Sequence, residues 1–169
     1  MSFAIRPVSD RHVSQIAKLF NAAIQEAGAT GDYSESQVAA WSRHHSLDNL
    51  SFGTYAIVAA SGEEVLGVAA ADLARPYHIR FVFVAPNQWR KGLGRTLVSC
   101  LEGFCADRGV RKIFVASALN AVPFYAALGY AACGSVTVCL PSEAGPEYIQ
   151  IQAIEMSKRL ESELPRTRS

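Results

Sequence analysis

The segment Arg80 to Gly94 reads Arg-Phe-Val-Phe-Val-Ala-Pro-Asn-Gln-Trp-Arg-Lys-Gly-Leu-Gly: a β-branched and aromatic run, a proline, then a basic loop with two glycines. Leu97, Val98, Leu101, Phe104 and Cys105 follow at helical spacing, so the chain must pass from a strand through a tight turn into a helix. That layout makes an anion site. Gly92 and Gly94 have no Cβ to block close approach, and the first-turn amides of the helix lack intrahelical partners and point outward. Arg90, Lys91 and Arg95 add positive charge. A P-loop would need Lys-Ser or Lys-Thr after a glycine, and a dinucleotide fingerprint would need a small residue where Leu97 stands. Read alone, the segment is also compatible with a plain strand-to-helix turn carrying solvated basic side chains.

Two blocks extend the pattern. Val82-Phe83-Val84-x-Pro86 precedes a loop close to [Q/R]-x-x-G-x-[G/A], and Ala121-Val122-Pro123-Phe124-Tyr125-x-x-Leu128-Gly129-Tyr130 follows at a matching distance. With these blocks the chain resembles the GCN5-related N-acetyltransferases (GNAT), from about Phe3 to Lys158. It departs from their pattern at Trp89, beside Gln88, where the family has Gln or Arg. The resemblance implies one α/β domain over residues 1–158, with a mixed, mostly antiparallel twisted sheet of about seven strands and four helices. Residues 159–169 then form a charged tail.

Half of the 169 residues are hydrophobic and the formal net charge is +1. No broad cationic field exists to attract nucleic acid or an anionic membrane. Apolar runs such as Tyr55–Ala60 fall far short of the ~20 residues that span a bilayer, and no cationic start with an apolar core marks a secretion signal. Cys100, Cys105, Cys133 and Cys139 form no C-x-x-C pair, which suits reduced thiols and a cytoplasmic setting.

Periodicity places the elements independently. Phe3–Val8 reads as a strand, Ser9-Asp10 caps a helix ending at Gly28 and Gly31, and Ser34 with Gln37 opens a second helix, Glu35 to His44. Thr54–Ala60 and Glu64–Leu73 form a hairpin around Ser61-Gly62, followed by a strand Ile79–Val84. After the loop helix come a strand Lys112–Ala116, a short helix Ala121–Leu128, and strands Ser135–Leu140 and Tyr148–Ser157.

The resemblance implies acetyl-CoA as co-substrate, no metal, and an amine acceptor, and it admits a homodimer through the last strands. The pyrophosphate would lie on Arg90, Lys91, Gly92, Leu93, Gly94 and Arg95. Pantetheine would pair with the backbone of Val82, Phe83 and Val84, and the Val82 amide would face the thioester oxygen. Tyr125 stands at the family's acid position, although Phe124-Tyr125 also fits a pair of core aromatics. Ser117 and Asn120 are candidates to hold the coenzyme arm or simply to cap a strand end. Alternation would put His78, Arg80, Val82 and Val84 on one strand face. His78 then becomes a candidate base, with a solvated turn or Asp72 as alternatives. Tyr33, Glu35 and Tyr148 are candidates for the acceptor site, Glu35 as partner for a cationic amine. Trp41, Arg43, His44, His45 and Gln150 are further possible lining residues, and the histidine pair lacks a third ligand spaced for metal. A non-catalytic acyl-CoA sensor is the rival from another functional class.

Overall fold

The computed structural model describes residues 2–46, 52–53, 55–74 and 76–161. Thr54, the first residue of an expected strand, and the tail from residue 162 lie outside them. The elements run β1 (Ala4–Pro7), α1 (Asp10–Gly28), α2 (Glu35–His44), β2 (Tyr55–Ser61), β3 (Glu64–Asp72), β4 (His78–Val84), α3 (Leu93–Ala106), β5 (Lys112–Ala118), α4 (Val122–Ala127), β6 (Ala131–Pro141) and β7 (Tyr148–Arg159). The strands form one seven-stranded sheet in the order β1-β2-β3-β4-β5-β7-β6. Among the described residues, only β4 and β5 pair parallel. The fold class and the element order expected from the sequence are those observed.

Apolar residues on both faces of the central strands bury the sheet between two helical layers. On one face Leu93, Leu97, Val98 and Leu101 of α3 pack with Ile57, Leu66 and Ala69 of the sheet. On the other, Ile16, Leu19, Phe20 and Ile24 of α1 pack with Val58, Val68, Ala70 and Phe81. Helix α2 starts on the expected cap, with Ser34 Oγ accepting from the Gln37 amide and the Gln37 side chain accepting from the Ser34 amide.

Most boundaries differ from the sequence expectation by a residue or two, and the start of β6 by more. β6 begins at Ala131, four residues early, because a bulge at Cys133 carries the pairing with β7 through Ala132 and Gly134. Its small side chains give no strand signal, and only the partner strand sets their register. At the other end β7 reaches Arg159 and Leu160 is buried, so the packed chain runs past Lys158.

Candidate active site

The β4–β5 pairing consists of His78 with Phe114 and Ile79 with Val115. Beyond these two positions the strands part, and a cavity of about 310 Å³ opens between them. Phe81, Val82 and Phe83 form one bank, Val115, Ala116 and Ala118 the other, and Tyr125 of α4 reaches the same space.

β4 is not regular where it borders the gap. Ala70 faces Phe81 and Ala71 faces Ile79, so Arg80 is the extra residue of a bulge. Bulges re-aim the side chains that follow them. Here Ile79, Val82 and Val84 pack on the α3 face, whereas Phe81 and Phe83 pack on the α1 face. The expected common face of His78 and Val82 is therefore not what forms. His78 precedes Ile79 and lies on the opposite face, with its ring 5.5 Å from that of Phe114. Its Nδ1 is 2.8 Å from the Pro76 carbonyl oxygen and its Nε2 is 3.2 Å from Glu155 Oε1. Both ring nitrogens thus face oxygen acceptors, and His78 is not among the cavity-lining residues.

The loop between β4 and α3 turns its amides outward. Arg90 (φ 61°) and Gly92 (φ 84°) are both left-handed, an arrangement that gathers successive N–H groups into a concave anion nest. Among the described residues, the amides of Arg90, Lys91, Gly92, Leu93, Gly94 and Arg95 have no backbone acceptor, and the first bond back to the loop is Thr96 N–H to Gly92 O at 3.1 Å. Leu93 contributes only its amide, since its side chain is in the core. The Trp89 indole donates from Nε1 to the Val84 carbonyl at 2.8 Å, and Lys91 Nζ donates to the Asn87 carbonyl. Trp89 therefore fastens the loop to the end of β4 through a bond that the family's Gln or Arg position did not suggest. Gly94 sits against α4: a Cβ there would meet two ring carbons of Phe124 at 3.2 Å.

Tyr125 is 6% exposed, with its ring edge-on to Phe124 at 5.0 Å and to Tyr130 at 5.5 Å. Tyr130 is itself fixed, donating to Glu102 Oε1 at 2.8 Å, while Lys158 Nζ pairs with the same carboxylate. The Tyr125 hydroxyl has no hydrogen-bond partner among the described residues, and the residue lines the cavity. Burial pushes this phenol's pKa up, so it stays protonated.

The remaining candidates separate. Asn120 lines the cavity. Ser117 is 1% exposed, does not line it, and donates to the Ala118 carbonyl at 2.9 Å. Glu35 is exposed on the first turn of α2, and Tyr148 is 66% exposed at the start of β7; neither reaches the cavity. Arg43 pairs with Glu143 at 2.8 Å. Trp41, His44, His45 and Arg80 do line the cavity. The histidines belong there because α2 ends beside the gap, and Arg80 because of the bulge, which no local pattern in β4 announced. Among the described residues no group of three His, Cys, Asp or Glu side chains is placed to hold a metal.

Tyr33 also lines the cavity, but both functions of its hydroxyl are in use. It donates to the Gln152 carbonyl at 3.0 Å and accepts from the Leu119 amide at 2.8 Å, tying the α1–α2 connection to β7 and to the end of β5. Tyr33→Phe leaves those two backbone groups unpaired, at a cost of ~1–3 kcal/mol. A Tm several degrees lower is the expected result in thermal unfolding, and an unchanged Tm would remove this structural role.

Residues 29–139, well over half of the chain, match the family model described as the acetyltransferase (GNAT) domain. The chain belongs to the GNAT acetyltransferases. This GNAT domain is similar along its length to solved structures of the same fold. A GCN5-related N-acetyltransferase from Rhodopseudomonas palustris is 28% identical, with a TM-score of 0.81, covering 95% of this chain and 97% of that one. PaiA N-acetyltransferase from Thermoplasma acidophilum, solved with coenzyme A, is 17% identical at a TM-score of 0.67, covering 94% and 99%. The ribosomal-protein-S18-alanine N-acetyltransferase of Escherichia coli is 16% identical at 0.64, covering 99% and 100%. No curated protein matches the chain. No helix among the described residues is long and apolar enough to cross a membrane.

Proposed function

We propose that this GNAT domain moves acetyl from acetyl-CoA to a primary amine by direct attack in a ternary complex. One observation carries the reading: a tyrosine whose hydroxyl has no partner among the described residues lines a gap between parted strands, and a loop of unpaired amides lies at the N-terminus of the neighbouring α3. The loop from Arg90 to Arg95 fits a pyrophosphate, and the edge of β4 from Val82 to Val84 that β5 leaves unpaired, its Val84 carbonyl already accepting from Trp89, fits an extended diamide arm. Asn120 would meet that arm, and coenzyme A as the ligand is supported by the T. acidophilum neighbour, which was solved with it.

In the reaction the amine nitrogen bonds to the acyl carbon and the carbon–sulfur bond breaks. The Val82 amide is assigned to the oxygen that gains charge. Tyr125 gives its proton to the departing sulfur and regains one from the acetylated nitrogen, so the enzyme returns unchanged. His78 offers no nitrogen to the cavity, so the amine enters as the free base or loses its proton to water. His78→Gln is therefore expected to keep every inflection of the wild-type kcat/KM profile against pH. Disappearance of an inflection in the folded variant would return His78 to the role of base.

Free-thiol release from acetyl-CoA with a panel of primary amines tests the function. Amine-dependent release supports it; tight coenzyme A binding with no release for any amine would leave the acyl-CoA sensor as the better description.

A further inference from the structure

The cavity continues from the β4–β5 gap onto the α1 face of the sheet, and its wall there is chemically one-sided. Trp41, Phe81 and Phe83 supply aromatic surface, His44 and His45 two imidazoles, and Arg80 a guanidinium; none of the described lining residues is Asp or Glu. The carboxylate beside Arg80 is Asp72, which is not on the wall. It meets Arg80 Nη1 at 3.3 Å through Oδ2, while its Oδ1 accepts from the Ala74 amide at 3.2 Å. Asp72 thus holds the arginine by one nitrogen, and Nε and Nη2 make no hydrogen bond among the described residues.

The histidines do not offset that charge. Burial, reinforced by Arg80, drives both toward the neutral form, His45 to about 4. His45 keeps Nδ1 on the Trp41 carbonyl and packs edge-on to Phe20 and Phe83. A second ammonium on a polyamine or an amino sugar would meet a like charge here with no carboxylate on the wall to offset it. A carboxylate would receive two charge-assisted bonds from the free edge of the guanidinium.

We propose that the acceptor is a small amine bearing a carboxylate and an apolar side chain, an α-amino acid in its chemistry, with Arg80 taking the carboxylate and Trp41, Phe81 and Phe83 the side chain. The inference rests on the acetyl-transfer reading. Arg80 lies two residues before Val82, about 6 Å along the strand, so one small molecule can place its nitrogen at the thioester and its carboxylate at Arg80. It replaces the expectation that Glu35 holds a cationic amine, because Glu35 does not reach the cavity.

The test is thiol release from acetyl-CoA with L-phenylalanine, L-methionine, their carboxamides and spermidine, on wild type and Arg80→Gln. Wild type is expected to prefer each acid to its amide in kcat/KM by ~10-fold or more, the worth of a hydrogen bond to a charged group. In Arg80→Gln the ratio is expected to fall to near one. The wild-type ratio decides the matter even if the variant does not fold. An amide-to-acid preference, release confined to spermidine, or an unchanged ratio in folded Arg80→Gln would overturn this inference and leave acetyl transfer standing. Absence of release with every amine would overturn both.

Discussion

Tyr125→Phe is expected to lower turnover by ~10²-fold or more, the usual contribution of a general acid–base group, while coenzyme A affinity and folding are retained. The substitution is clean for structural reasons. The phenylalanine ring keeps its place between Phe124 and Tyr130, and the lost hydroxyl leaves no protein group without a partner, because it had none. Burial holds the phenol protonated, so what is lost is a donor. Steady-state thiol release and the coenzyme A dissociation constant, measured on the same preparation, check the claim. Wild-type turnover under conditions where chemistry limits the rate would make Tyr125 a core aromatic only.

The second large effect is expected at Gly92. Its φ of 84° suits glycine, and a β-branched side chain there is a conformational outlier. A Cβ at Gly92 would meet nothing within 4 Å, so Gly92→Val strains the loop without touching the core. The amides from Arg90 to Arg95 lose their common direction. Each hydrogen bond to a charged group is worth ~1.5–3 kcal/mol, so losing even one or two weakens coenzyme A on the order of a hundredfold. Calorimetric titration of the folded variant reads this directly, and an unchanged dissociation constant refutes the loop as the pyrophosphate site. Gly94→Val is a poorer probe, because its Cβ would press on Phe124, the neighbour of Tyr125, and confuse binding with catalysis.

What the sequence made legible is what short-range physics determines. The turn after β4 needs glycine, the cap of α2 needs Ser34 and Gln37, and the apolar stripe of α3 has its own period; each is written within a few residues. The crevice is different. Arg80 becomes a bulge only because β3 opposite it is one residue shorter, so the strand-face prediction that joined His78 to Val82 had no local signal to correct it. Tyr33 was named as an acceptor candidate, but its bonds to Leu119 and Gln152 depend on segments about a hundred residues away. Glu35 and Tyr148 have the chemistry for an acceptor site, but topology puts them outside the cavity. Arg80 reaches the cavity wall by topology alone.

The two-residue pairing of β4 with β5 also divides the sheet as a mechanical object. β1 to β4 form one plate and β5, β7 and β6 another, and a single covalent crossing, through the loop and α3, joins them. The clasp of Tyr33 and the contacts of α2 with β6 and β7 hold the plates from one side. Along the seam itself the backbone ladder is only two pairs long, and it ends where an extended ligand would lie. A guest that bonds to both banks would supply the missing rungs and join the two plates into one hydrogen-bonded sheet.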